Sequence, residues 1–183
     1  MAKTHWRRQD YRIESLQYIL LGLENSIKHL DKICEEYPLY GETFYAEEVE
    51  PIYGMTFIAL QNYINSSIYD LFESLNKKDE IYRQDIKIPP YKRTRIELIV
   101  GLANYLKHRD DDKPFNKGTL ILLKDFQLNY DDELGEGSSP IFEGYDLLTK
   151  DSKMNELIEI VKEWRENMWN NYENTNHNNV YTK

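Results

Sequence analysis

The sequence predicts an all-α, single-domain bundle of about five helices. Three observations predict it. Apolar residues recur at spacings of three and four, the repeat that lines one face of an α-helix. The stretches that carry this repeat are separated by prolines or by clusters of Gly, Asn, Asp and Ser. No stretch shows a sustained apolar–polar alternation of the kind that marks a half-buried strand.

The first helix is predicted from about Gln9 to Tyr37, with one apolar seam of Ile13, Leu16, Leu20, Leu23, Ile27, Leu30, Cys34 and Tyr37. Pro38 ends it, because a proline disfavours helical geometry in the residue before it. The seam fits packing within one bundle, since further amphipathic helices follow; a coiled-coil dimer is the alternative. The second helix runs to about Asn76 on Phe57, Leu60, Ile64, Ile68, Leu71 and Leu75. Its start has two readings: Pro51 as a first-turn proline behind Glu47, Glu48 and Glu50, or a helix from about Thr43 kinked at Pro51.

A connector spans Lys77 to Pro90, and the third helix is predicted from about Tyr91 to Arg109. Asp110, Asp111 and Asp112 oppose the dipole at its end and mark a turn. A short fourth helix starts at the N-cap Asn116, with Leu120, Leu123 and Phe126 as its apolar face. From Asn129 to Lys150 the chain reads as irregular, with Ile141 and Phe142 apolar enough to dock on the bundle. The fifth helix begins near Asp151 or Ser152 and carries Met154, Leu157, Val161, Trp164, Met168 and Tyr172. Residues 1–172 thus form the bundle, and the Asn-rich tail 173–183 has no periodicity and is expected to be mobile.

The 183 residues, 40% apolar and 30% charged, suffice for one core without disulfides or metal. A formal net charge of −9 disfavours a general nucleic-acid coat and suits a protein that stays soluble or one that meets a basic partner. The single cysteine, Cys34, excludes an intramolecular disulfide and, on the apolar seam, reads as a structural thiol. The basic segment Met1–Arg8 is not followed by the apolar core of a signal peptide, and no apolar run approaches the ~20 residues of a membrane span. These features imply a cytoplasmic protein with no membrane association.

Acidic residues are segregated. Eight acids face only Lys28 and Lys32 between Glu24 and Glu50, and eight face only Lys150 between Asp125 and Asp151. Such segments steer basic partners, although a charge run is by default a solvated surface. The basic counterpart is the stretch from Lys77 to Arg95, with seven Lys or Arg against three acids.

The third helix carries the most information. Ile96, Ile99, Val100, Leu102, Ala103 and Leu106 cover more than half its circumference, which predicts a central, mostly buried helix. The remaining stripe is Glu97, Gly101, Asn104 and His108. A mid-helix glycine costs ~1 kcal/mol relative to Ala, so a close approach is expected at Gly101. One reading makes the stripe an internal network in which Asn104 and His108 satisfy carbonyls or tyrosine hydroxyls. The other makes it a site, because His titrates near neutral pH. The expectation adopted is that His108 is the keystone of a buried network.

The segment Asn104-Tyr105-Leu106-Lys107-His108-Arg109-Asp110, preceded by Ala103, resembles the signature helix of HEPN-type domains. That resemblance implies a small all-helical bundle of the kind found in bacterial toxin–antitoxin and phage-defence systems, many of them metal-independent ribonucleases. The family motif is an Arg, often followed by Asn, then a His separated from the Arg by roughly four to six residues. Asn104 and His108 match, but the Arg positions hold Gly101, Leu102 and Ala103. The group that would hold a scissile phosphate is therefore missing.

No cofactor or metal is expected. His5, His29, His108 and His177 lack metal-ligand spacing, and Asp110 to Asp112 lacks the alternation of a calcium loop. Gly135-Glu136-Gly137-Ser138-Ser139 lacks a phosphate-loop lysine. The function expected is therefore a non-enzymatic interaction protein of antitoxin or immunity type that neutralises a basic toxin, such as a nuclease. Asp131, Asp132, Glu133 and Glu136 would bind the partner, with Glu47, Glu48 and Glu50 as a second patch. The alternative is a HEPN-like ribonuclease in which His108 acts as acid or base and Asn104 orients, with RNA tracked by the Lys77–Arg95 stretch. Arg93, Arg95 or Arg109 would then replace the missing Arg in space.

Overall fold

The computed structural model describes residues 6–128, 130 and 139–180. Among them the chain is all-α, with no named strand. After a 3-10 turn at Trp6–Arg8 come α1 (Ile13–Glu36), α2 (Pro38–Phe72), α3 (Lys78–Tyr82), α4 (Arg95–His108), α5 (Lys117–Asp125), α6 (Pro140–Leu148) and α7 (Met154–Val180). No helix among the described residues is long and apolar enough to cross a membrane.

α1 and α2 form a hairpin whose only break is Tyr37, at φ −130° and ψ 76°. Pro38 occupies the first turn of α2, where its missing N–H costs nothing. Neither expected start of the second helix is the observed one: α2 begins at Pro38 and continues through Pro51 for 35 residues, roughly 50 Å at about 1.5 Å per residue. The seam of α1 buries Leu16, Leu20 and Ile27 against the bundle, while its last member, Tyr37, is exposed. Cys34 is half-buried beside Gly41, and burial together with the charges of Asp31 and Glu48 pushes its thiol pKa up, away from nucleophilic use.

α4 starts four residues later than the periodicity suggests. Its N-cap is Thr94, whose hydroxyl accepts from the Glu97 N–H while the Glu97 carboxylate accepts from the Thr94 N–H, a complete capping box. Residues before it turn back through the cis Pro89-Pro90 bond and an isolated bridge between Lys87 and Thr94. The helix is central, as expected. Ile96, Leu98, Ile99, Leu102 and Ala103 are fully buried, and α2, α5, α6 and α7 pack around them.

Three leucines fit where a side chain is missing. A Cβ on Gly54 would collide with Leu106, one on Gly144 with Leu102, and one on Gly101 with Leu122. The close approach expected at Gly101 is therefore real, and its partner is α5.

The stretch expected to be irregular contains α6. Ser139 caps the Ile141 N–H, Pro140 occupies the first turn, and Ile141 and Tyr145 are buried. Tyr145 and Phe142 meet the ring of Tyr53 edge-on at centroid distances of 4.5 and 5.6 Å. α7 begins at Met154 and not at Asp151 or Ser152. Ser152 adopts a left-handed φ of 54°, and the Glu156 carboxylate gathers the backbone N–H groups of Lys150, Asp151 and Lys153. The helix extends to Val180, beyond Tyr172 where its apolar stripe ends.

Arg165 of α7 is only 2% exposed and holds the start of the described chain. Its guanidinium donates to the carbonyls of Arg8 (3.1 Å), Arg7 (2.8 Å) and Gln9 (3.4 Å). Arg8 in turn makes a two-pronged pair with Glu166 at 2.8 and 2.7 Å, and Arg12 pairs with the buried Asp70.

Three stability measurements follow from this packing. Gly144→Ala forces a Cβ against a fully buried leucine, so urea unfolding should show a loss of about 1–2 kcal/mol, the overpacking cost less the helix-propensity gain. Gly101→Ala meets the half-buried Leu122, which has room to turn, and should be nearly neutral in the same assay. Arg165→Met strips three carbonyls of their donor and should lower stability by about 1–3 kcal/mol.

Candidate binding cleft on helix α4

The stripe Glu97, Gly101, Asn104 and His108 lies along one cleft of about 470 Å³. α3 contributes Lys78, Asp79, Tyr82 and Arg83, α5 and its cap contribute Asn116, Gly118, Thr119, Ile121 and Leu122, and α2 contributes Gln61. The four residues therefore share a face, as their spacing requires, but they do not share an environment.

Glu97 is the buried end, with its side chain 7% exposed. Its carboxylate takes the Thr94 N–H at 2.9 Å and Arg93 Nη1 at 2.7 Å, and Arg83 Nε lies at 3.6 Å. Arg93 also reaches Asp125 Oδ2 at 2.7 Å, which ties the start of α4 to the end of α5. A buried carboxylate needs this degree of pairing, since desolvation would otherwise outweigh the gain from its charge.

Asn104 is half-buried. Its Oδ1 accepts from Gln61 Nε2 at 2.9 Å, and the same Gln61 amide lies 3.4 Å from the Val100 carbonyl. Lys107 donates to Gln61 Oε1. Burial lowers the Lys107 pKa, and the charge of Lys78 lowers it further.

His108 departs from expectation. It is not the keystone of a buried network. Its side chain is 53% exposed at the mouth of the cleft, where Nδ1 meets Asp111 Oδ2 at 2.9 Å. α2 still packs on the last turn through Leu106 at Gly54, but the side of that turn that carries His108 is uncovered, so the stripe leaves the core there. Nor do tyrosine hydroxyls satisfy the stripe. Tyr45, Tyr63 and Tyr82 bond instead to Asp31, Asp10 and Asn65.

The three arginines considered as replacements are all engaged. Arg93 holds Glu97 and Asp125, Arg95 holds Asp85 at 2.6 Å and Glu163 at 2.9 Å, and Arg109 holds Glu50 at 2.5 Å. Arg93 does line the cleft, but beside Glu97, about 16 Å along the helix from His108 at about 1.5 Å per residue.

The acidic residues separate in the same way. Asp131, Asp132, Glu133 and Glu136 lie outside the described residues. Glu50 is not a free surface charge, because it is half-buried between Arg109 and Ser139. Glu47 and Glu48 are exposed, and Glu48 borders a shallow groove between α1 and α2 with Asn25, His29 and Ile52. Nearby, at the closed end of the α1–α2 hairpin, Glu35 and Glu36 are exposed with Tyr37 (63%), Leu39 (79%) and Phe44 (47%). The apolar members of this surface escaped sequence reading because Tyr37 continues the buried seam of α1.

Among the described residues no group of three His, Cys, Asp or Glu side chains is placed to hold a metal ion. Compared with known protein families, with curated proteins and with solved structures, the chain shows no significant match.

The split of the stripe has a direct readout. His108→Ala should change the unfolding free energy by less than about 0.5 kcal/mol, the range of ordinary surface substitutions. Glu97→Ala removes half the capping box and a buried ion-pair partner, and should cost about 2–4 kcal/mol. Chemical denaturation of both variants distinguishes an exposed His108 from a core one.

Proposed function

We propose that this protein is a non-enzymatic interaction protein of antitoxin or immunity type, which binds and neutralises a basic protein partner such as a nuclease toxin domain. The observation that carries this reading is the end of the α1–α2 hairpin, where exposed carboxylates and exposed apolar side chains occur together. Tyr37, Leu39 and Phe44 supply anchors of the kind that dominate interface energetics. Glu35, Glu36, Glu47 and Glu48 supply the charge that steers a basic surface toward them and repels acidic competitors. The net charge of −9 acts in the same direction at longer range. The acidic segment of Asp131, Asp132, Glu133 and Glu136 is a second contact in this proposal, and the setting proposed is the cytoplasm.

The alternative is a HEPN-like ribonuclease. In its favour, Asn104 and His108 line one cleft with the basic side chains of Lys78 and Arg83. Against it, Arg93, Arg95 and Arg109 are each neutralised by carboxylates, and His108 has an aspartate as its ring partner. None of these three arginines is therefore free to take the place of the motif arginine that would meet the charge of the transition state.

The test is to identify the partner by cross-linking in the native host, then measure affinity with both proteins purified. Joint Glu35→Lys, Glu36→Lys and Glu47→Lys substitution should weaken binding by about tenfold or more at low salt, and less at high salt. Reversing Asp131, Asp132 and Glu133 tests the second segment in the same way. Unchanged affinity at low salt in both variants overturns the proposal, as does His108-dependent cleavage of RNA by the purified chain.

A further inference from the structure

The cleft on α4 brings Lys78, Arg83 and Arg93 together with Asp79 and Glu97, and two of its polar groups, the Lys78 ammonium and the Asn104 NH₂, have no partner among the described residues. We propose that this cleft is a binding site for a small organic phosphate monoester, with the phosphate held by Lys78 and Asn104 and the organic body on Val100 and Leu122.

The donor set follows from one chain of hydrogen bonds. Lys107 has only donors, so the Gln61 oxygen must face it. The Gln61 NH₂ is then turned to Asn104, which must present its oxygen in reply. Both amides are thereby oriented, and the Asn104 NH₂ is left as a donor with no acceptor among the described residues. Asn104 lines the cleft, so that donor is available to a ligand there.

Charge points the same way. Lys78 has no ion pair among the described residues. It stands near enough to Lys107 for its charge to work against that of Lys107. Two neighbouring lysines without a counter-ion are stabilised by an anion placed between them. Of the acids on the cleft, Glu97 is taken up by Arg93 and the Thr94 N–H at the far end, which leaves Asp79 as the nearby opposing charge. At the mouth, Asp111 engages the His108 ring and takes that side chain out of the donor set.

Shape decides between an inorganic ion and an organic phosphate. A cleft of about 470 Å³ is far larger than an isolated phosphate needs and falls within the range of small-molecule sites. Val100 and Leu122 give its middle an apolar strip. A phosphate, with three terminal oxygens, also meets several converging donors better than a carboxylate does.

Isothermal titration calorimetry on the full chain tests this with phenyl phosphate, phenol and inorganic phosphate. Phenyl phosphate should bind saturably, about tenfold or more tighter than inorganic phosphate, with no detectable binding of phenol. Lys78→Gln should weaken phenyl phosphate by about tenfold. Asn104→Asp keeps the acceptor for Gln61 but replaces the free donor with a charge, and should abolish binding. Circular dichroism confirms that both variants remain folded. If either variant loses its fold, amide shift mapping on the unaltered chain takes its place, and phenyl phosphate should perturb residues 78–83 and 104–119. The proposal is overturned by no saturable phenyl phosphate binding at about 10 mM, where even a weak site with a Kd near 1 mM would be occupied. It is equally overturned by undiminished binding in both folded variants, by phenol binding as tightly as phenyl phosphate, or by a single-stranded oligonucleotide binding where phenyl phosphate does not.

Discussion

The structure depends on one constraint: α4 is short, apolar on most of its circumference and enclosed by four other helices. A helix of 14 residues with Ile96, Leu98, Ile99, Leu102 and Ala103 fully buried cannot be stable alone, since isolated helices of this length are marginal in water. Its neighbours must therefore come close. They do so by presenting leucines to backbone that has no Cβ, or backbone without Cβ to leucines. Leu102 of α4 enters the gap at Gly144 of α6, Leu106 the gap at Gly54 of α2, and Leu122 of α5 the gap at Gly101. Close-packed interiors tolerate little change of volume, so these three contacts fix where α2, α5 and α6 can lie.

The one face of α4 left uncovered inherits its chemistry from that arrangement. Its buried end is structural. There the Glu97 carboxylate caps the helix and draws Arg93 across to Asp125. Its outer end is open, because at the last turn α2 covers the side of Leu106 and not that of His108, and the same stripe delivers Asn104 and then His108 toward solvent. A buried carboxylate has to be matched by cations and N–H groups, whereas an exposed imidazole does not. One row of side chains thus changes from scaffold to surface within about three turns.

Helices with a single buried face were the easiest to read from sequence. The seam of α1 from Ile13 to Cys34 and the Asn116 cap of α5 needed no knowledge of neighbours. Elements whose rationale lies elsewhere in the chain were not legible. α6 has a regular start in Ser139 and Pro140, yet Gly144 reads as a loop residue until Leu102 supplies the reason for it. Thr94 and Glu97 form a capping box visible in the sequence, but Tyr91 and Lys92 extend the apparent helix upstream because nothing local reveals the turn at Pro89-Pro90. For His108, helical spacing gave the correct face, and burial was wrongly inferred from that face, since depth depends on which sides of each turn the neighbouring helices cover. The cleft wall from α3 was hidden for the same reason: Lys78 and Arg83 acquire meaning only opposite α4.

The hold of Arg165 on the backbone of Arg7, Arg8 and Gln9 has a consequence for the order of assembly. These bonds join residues 156 to 158 positions apart, whereas the α1–α2 hairpin is closed by neighbours in sequence. The entropy of closing so long a loop grows only logarithmically, but the three carbonyls have no guanidinium donor to meet until α7 is in place. Local contacts form early and the longest-range ones late. During synthesis, residues 7–9 emerge long before α7, so their contacts with Arg165 wait until α7 has been made.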